Sequence, residues 1–483
     1  MHLLLPVLVP IAGGVLVFRL KSEQARNRAV FWTAAVTSVL ALLLCLVPEE
    51  TVNLMTIQGS LRLCLRNDGL ARFFMALVCL IWVPVSIFSF PYLKHAGGER
   101  KFLTIYTMTQ GILIGLSLAR NFITMYMFFE MMSLLTMPLV LHNGTPASRR
   151  AGFQYLGYSV FGAGMALAGF FFLSRYVALP NFTAGGSLDP TLAAGHETLL
   201  LAVWFLMVVG FGAKAGMMPM QAWLPAAHPV APAPASAVLS GVITKGGVLA
   251  IIRVTYYMYG TELLAGSWAQ KALLILALCT VFTGSMLALR EKQFKKRLAY
   301  STVSQVSYVL FGLLLLTPEG VQGALLQVVF HAIAKDTLFL AAGAVILSTS
   351  FSRVDQLRGI GRRMPVTSLC FALAALSLIG IPPMSGFVSK WFLASAALEN
   401  AIPWAGSAGV AVLILSALLT AGYLLPIVSD GFFPGADFIA EIKEVGRDMT
   451  GPMLFFVVLA LVLGLFPGPL LAVTGALSGA VFP

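Results

Sequence analysis

The sequence predicts an all-α polytopic membrane protein, and three observations carry that prediction. Of 483 residues, 59% are hydrophobic and 10% charged, whereas soluble domains carry about 25% charged residues. Mean hydropathy is +0.90. Apolar stretches of membrane-spanning length recur along the whole chain, joined by loops rich in Lys and Arg. The start, Met1-His2-Leu3-Leu4-Leu5-Pro6, has neither a basic n-region nor a small-residue cleavage site, so the first apolar run reads as a retained span.

A helix needs about 20 apolar residues to cross the hydrocarbon core. Such stretches fall at 3–20, 30–47, 69–91, 102–119, 121–142, 151–174, 198–217, 235–259, 265–289, 297–316, 321–347, 366–393, 405–428 and 453–475. Fourteen transmembrane helices are therefore expected. Residues 50–68 are polar and strand-prone, consistent with an external hairpin. Residues 430–451 include Phe438-Ile439-Ala440-Glu441-Ile442-Lys443-Glu444-Val445, a short amphipathic pattern suited to an interface or to a partner. Spans seven and twelve each combine a lysine with prolines: Lys214 before Pro219 and Pro225, and Lys390 after Pro382-Pro383. Broken helices five spans apart point to a transport pathway.

Loop charge sets the orientation. With the N-terminus outside, the inner loops hold 20 basic residues, from Arg19, Lys21, Arg26 and Arg28 through Lys292, Lys295, Lys296 and Arg297 to Lys443 and Arg447. The outer loops and helix ends hold 7: Arg62, Arg66, Arg72, Arg120, Arg175, Arg253 and Lys271. Both termini are expected on the outer side of a prokaryotic cell membrane. This topology accounts for most of the net charge of +12, and no basic–aromatic alternation of a nucleic-acid surface is present.

Four lysines are left inside apolar spans: Lys214, Lys245, Lys335 and Lys390. Each opposes insertion by roughly 2.5–3.5 kcal/mol, so such groups face a protein interior or a wet cavity and mark an ion path. Glu130, set among Met, Phe and Leu, needs a proton or a cation, and Lys214 is its expected partner. Drawing the carboxylate away would let the desolvated lysine release its proton. Lys245 follows Ser240 and Thr244, hydroxyls able to bridge protons, within a run of small residues that leaves room for water. His331 and Lys335 are spaced i, i+4 and share a helix face. Asp336 is turned about 100° away, toward a different neighbour. Lys390 lies beside the helix interruption, where carbonyls freed from the helix can meet water and protons can exchange with the outside.

Other chemistries find little support. Cys45, Cys64, Cys79, Cys279 and Cys370 are scattered without a CxxC, so no iron–sulfur cluster or disulfide framework is expected. Haem ligation by His331 would require His228, which stands near a helix break, as second ligand. No nucleophile–base pair, metal cluster or nucleotide-binding turn emerges. The expectation is a non-catalytic subunit without cofactors, receiving any electrons through a partner.

From about residue 67 to 470 the chain resembles the antiporter-like subunits shared by respiratory complex I, Mrp-type cation/proton antiporters and energy-converting hydrogenases. The resemblance rests on Phe128-Phe129-Glu130-Met131-Met132-Ser133-Leu134, on Lys214-Ala215-Gly216-Met217-Met218-Pro219 leading to Trp223-Leu224-Pro225-Ala226-Ala227-His228, and on Ala231-Pro232-Ala233-Pro234-Ala235-Ser236-Ala237 before Lys245. It continues in Arg297-Leu298-Ala299-Tyr300-Ser301-Thr302-Val303-Ser304-Gln305, His331-Ala332-Ile333-Ala334-Lys335-Asp336-Thr337-Leu338-Phe339, and Gly380-Ile381-Pro382-Pro383-Met384-Ser385-Gly386-Phe387 before Lys390.

The resemblance implies two inverted five-helix repeats, spans 4–8 and 9–13. The chain then divides into 1–101 (three helices and the hairpin), 102–259 (first repeat), 260–429 (second repeat) and 430–483 (inner loop and last helix). It also implies that Glu130 pairs with Lys214, that Lys245 and His331 bridge a hydrated axis, and that Lys390 is the terminal proton carrier. Gln221 and Ala226 depart from the His and Asp common in the family, near the inner entrance. The expected function is proton translocation within a larger complex, beside other antiporter-like and small helical subunits and a peripheral redox arm. The rivals are sodium/proton exchange, which needs an oxygen-rich site, and a non-conducting scaffold.

Overall fold

A computed structural model describes residues 2–482 except 59–60, 178–180 and 435–441. After a short 3-10 turn come α1 (Leu5–Arg19) and α2 (Glu23–Leu46), then an antiparallel hairpin of β1 (Thr51–Gln58) and β2 (Leu61–Arg66) where a polar, strand-prone segment is expected. The first half continues with α3 (Gly69–Ala96), α4 (Glu99–Ser117), α5 (Phe122–Leu141), α6 (Pro146–Leu173), α7 (Glu197–Ala215), α8 (Trp223–Val230) and α9 (Ala233–Tyr259). The second half holds α10 (Trp268–Arg290), α11 (Phe294–Leu314), α12 (Pro318–Thr349), α13 (Pro365–Ile379), α14 (Gly386–Leu398), α15 (Pro403–Phe432), α16 (Arg447–Leu465) and α17 (Gly468–Val481).

Local chemistry sets the helix ends. Side-chain oxygens of Asp68, Asn121, Thr145, Ser267 and Thr317 accept from free backbone N–H groups at the starts of α3, α5, α6, α10 and α12. Pro146 and Pro318 occupy first-turn positions, where the missing N–H costs nothing. Gly216 (φ 84°) ends α7 and Gly380 (φ 92°) ends α13, left-handed conformations that a residue with a Cβ adopts poorly. The two interrupted spans are thus α7–α8 and α13–α14. Within α9, residues Leu239–Ile243 and Arg253–Tyr259 form wide π turns.

Eleven described helices are long and apolar enough to cross a bilayer. Each of the fourteen expected stretches meets a helix or an interrupted pair, but α4 and α11 begin with the charged residues Glu99-Arg100-Lys101 and Lys295-Lys296-Arg297, and the twelfth is split. The expected last span, 453–475, needs correction. Helix α16 stops at Leu465, the chain turns at Phe466-Pro467, and α17 begins at Gly468. Proline cannot continue the hydrogen-bond ladder at this point. Helix α17 packs back on the bundle, its Leu471 carbonyl accepting from Gln322 Nε2 at 3.1 Å.

Helices α9 and α12 form the centre: all of the apolar window of α9 and 94% of that of α12 are buried, against 33% for α2 and α15. The apolar residues that α2 and α15 expose, such as Leu42, Leu43 and Leu418, match a lipid-facing rim. Close packing in the first half depends on small residues. A Cβ at Gly210 on α7 would strike the Gly162 carbonyl on α6, and one at Gly162 the Gly210 carbonyl. Gly210→Val is expected to lower stability by about 1–3 kcal/mol, read as a lower melting temperature of the detergent-purified protein.

The amphipathic pattern at 438–445 lies partly outside the described residues. Of its visible part, Glu444 caps α13: its carboxylate accepts from Val366 N (2.8 Å), Thr367 N (3.2 Å) and Thr367 Oγ1 (2.6 Å).

Candidate functional site

The four interior lysines project from α7, α9, α12 and α14. The first three are buried, and each ammonium is held by oxygens or a ring nitrogen from neighbouring helices. Lys214 Nζ donates to Ser133 Oγ on α5 (2.9 Å) and to Tyr155 OH (2.5 Å) and Ser159 Oγ (3.2 Å) on α6. Tyr155 OH in turn lies 2.5 Å from Thr136 Oγ1, and its ring face is 4.2 Å from the ammonium. These hydroxyls replace the expected carboxylate: Glu130 makes no ion pair with Lys214. The Glu130 side chain is only half-buried, beside Tyr126, on a stretch of α5 whose Met131 and Leu134 are exposed. Ser133, one turn further along the helix, is fully buried, while Glu130 lies at the half-exposed margin of that face.

Helix α9 lies against α7 through Gly247, where an added Cβ would stand 3.1 Å from Lys214 Cβ. Two residues earlier, Lys245 Nζ donates to the Ser240 carbonyl (2.6 Å) and meets His331 Nδ1 of α12, also at 2.6 Å. Ser240 Oγ lies 2.8 Å from Thr302 Oγ1 of α11, and Thr244 Oγ1 donates to the Ser240 carbonyl at 2.9 Å. Lys335 Nζ donates to Ser301 Oγ and to the Leu298 carbonyl (2.8 Å), so His331 and Lys335, one turn apart, reach different helices. Asp336 presses on Gly241 of α9, where a Cβ would collide with its carboxylate. His228 is fully buried, its ring stacked on Phe339 at 4.6 Å, and neither ring nitrogen has a hydrogen-bond partner among the described residues.

Lys390 Nζ, on α14, donates to the Leu378 and Ile379 carbonyls, both at 2.7 Å. These are end carbonyls of α13, left without helical partners by the break at Gly380, so the ammonium sits at the negative end of that helix dipole. The Tyr308 ring lies 5.2 Å away. Ser389 Oγ beside it donates to Gln327 Oε1 (2.6 Å), and Gln327 Nε2 donates to Gln305 Oε1 (3.0 Å). Gln327 lies one turn from His331 on α12, which brings the amide chain toward the Lys245–His331 contact.

Several of these groups escape sequence reasoning. Gln305, Gln327 and Ser389 are neutral and stand out only as polar residues in apolar spans. Lys295, which the loop pattern places among inner-loop residues, is buried and donates to the Ala231 carbonyl just after α8. Arg253, which the same pattern places at an outer helix end, is buried in a two-pronged ion pair with Asp68, its Nη atoms 2.6 and 2.8 Å from the carboxylate oxygens. Gln221 and Ala226 line a cavity of about 560 Å³ together with Arg150, Gln154, Lys296 and Tyr300.

Interrupted helices, an interior row of amines and hydroxyls, and apolar lipid-facing flanks define a membrane-embedded ion-translocating bundle. The chain belongs to the family described as "NADH:quinone oxidoreductase/Mrp antiporter, TM", whose model matches residues 119–418. It is 32% identical over 420 residues to NADH-quinone oxidoreductase subunit N of Desulforudis audaxviator, covering 83% of this chain and 81% of the relative. It is 26% identical over 480 residues to a Na(+)/H(+) antiporter subunit of Bacillus subtilis, covering 96% and 93% of the two chains. Hydrogenase-4 component B of Escherichia coli is 31% identical over 429 residues, and the match covers 83% of this chain and 62% of that longer protein. A chain of the Mrp complex from Dietzia sp. has the same fold, with a TM-score of 0.86 at 22% identity over 99% and 97% of the two chains. A chain of respiratory complex I from Thermus thermophilus has a TM-score of 0.84 at 24% identity over the full length of both.

Proposed function

We propose that the chain is a proton-translocating, antiporter-like subunit of a multi-subunit membrane complex, built into a prokaryotic cell membrane with both termini outside. The observation that carries this reading is the polar line from the Lys214 hydroxyl cage, through the Lys245–His331 contact, to the carbonyls holding Lys390. A proton enters from the inner side, where basic loops concentrate and the cavity at Gln221 and Ala226 opens. It passes between amines whose proton affinity depends on neighbouring charge, and leaves at Lys390 beside the interrupted helix. Other antiporter-like and small helical subunits are the partners, with a peripheral redox arm as the source of drive where the complex is an oxidoreductase.

Glu130 acts from the rim: at its half-buried position its charge biases Lys214 through space, and a neighbouring subunit seated on that face would alter the bias. The test is proton uptake by liposomes containing the purified complex with Lys214→Met. Loss of translocation with intact assembly is the expected result. Unchanged translocation would favour a scaffold, and sodium-dependent turnover by the isolated subunit would favour sodium exchange.

A further inference from the structure

Asp336 is fully buried, and among the described residues neither carboxylate oxygen has a hydrogen-bond partner. A bare carboxylate in such surroundings is untenable: it carries a proton or faces a cation. A cation lies at the same wide turn of α9, Leu239–Ile243. Lys245 Nζ rests on the carbonyl of Ser240, and Asp336 rests on the next residue, Gly241, where only the absence of a side chain makes room for it. Lysine and carboxylate thus occupy adjacent positions of one turn, while the ammonium is engaged with His331, which shares α12 with Asp336. The other ionisable groups around the carboxylate are Tyr106 on α4, whose OH donates to the Trp82 carbonyl at 3.1 Å, and Lys335, whose ammonium is bound to Ser301 and the Leu298 carbonyl of α11. Lys245 thus has a titratable partner in hand, His331, and a second one, Asp336, at the neighbouring position of the same turn.

We propose that Asp336 is the alternative partner of Lys245, so that the central relay is a two-position switch in which the lysine faces either His331 or Asp336. In the position seen here the lysine is shared with His331 and Asp336 is a neutral carboxylic acid. When the lysine swings to Asp336, the carboxyl O–H breaks and its proton goes to His331 or onward along the relay, leaving an ammonium–carboxylate pair. On the return, a proton taken up from the input side restores the acid. Charge and protons balance at each step, and no other reactant is needed. This deepens the proton-relay reading and rests on it.

The test is infrared difference spectroscopy of the purified complex between its resting and driven states, together with liposome proton uptake. A carboxylic C=O band is expected in the wild type, absent in Asp336→Asn and lost from the difference spectrum in Lys245→Met. Proton uptake is expected to fall at least about tenfold in Asp336→Asn and to return largely in Asp336→Glu. Full uptake in Asp336→Asn, or a band unchanged by Asp336→Asn, overturns the proposal. If Asp336→Asn does not assemble, Lys245→Met decides alone, and a band retained at full amplitude overturns it. A wild-type complex that moves no protons contradicts the proposed function, whereas the spectral test still judges the pair.

Discussion

Lys245→Met is expected to cut proton translocation by the assembled complex by at least about 100-fold, the loss typical of removing a positioned proton-transfer group. The lysine is fully buried on the central helix α9 and touches His331 across the bundle, so no neighbouring solvent can supply a substitute carrier. Methionine has similar length and an apolar stem, so the packing of α9 against α12 is kept. Removing a buried ammonium relieves a desolvation cost that offsets the hydrogen bonds lost at His331 and the Ser240 carbonyl, so the melting temperature of the variant should stay close to that of the wild type. Loss of transport without loss of stability separates a relay role from a structural one. Measured as dye-reported acidification in liposomes, transport within twofold of wild type would remove Lys245 from the path.

The second large effect is structural. Asp68→Ala is expected to lower stability by about 3–5 kcal/mol, because it leaves the buried Arg253 guanidinium without its counter-charge. The same change removes the cap at the start of α3, where Asp68 Oδ1 accepts from Ala71 N at 2.9 Å, which adds about 1 kcal/mol. Arg253 lies in the second wide turn of α9, wedged between the rings of Phe182 and Tyr257. The ion pair therefore ties α9 to α3 at the end of the bundle nearest the hairpin. Adding Arg253→Met to Asp68→Ala should recover much of the lost stability, since an apolar pair leaves no charge stranded. Thermal unfolding of the detergent-solubilised protein measures both, and equal melting of Asp68→Ala and wild type would contradict this account.

Where the sequence speaks through covalent chemistry, it is legible. The two interrupted spans are marked by Gly216 with Pro219 and by Gly380 with Pro382-Pro383, and the lysines inside apolar runs announce the interior path. The hairpin is visible as a polar, strand-prone segment between apolar ones. Side-chain partners are another matter, because they depend on helix rotation and depth. Glu130 and Lys214 look like a pair until α5 turns Ser133 inward and leaves the acid at the rim. Lys295 stands in a basic cluster that reads as a loop, yet α11 begins there and carries its side chain under α8. The apolar run 453–475 is divided at Pro467-Gly468-Pro469, a breaker signal that hydropathy alone passes over. Gln305, Gln327 and Ser389 carry no charge to distinguish them from helix-packing polar residues, and only the fold brings them together beside Lys390.

The most direct measurement is a density map of the intact complex in lipid, at a resolution that shows ordered water. The account predicts a continuous string of waters and side chains joining Lys214, Lys245, His331, the Gln327–Gln305 amides and Lys390. A dry, apolar gap between Lys245 and Lys390, with each amine reaching separately toward headgroups, would contradict it.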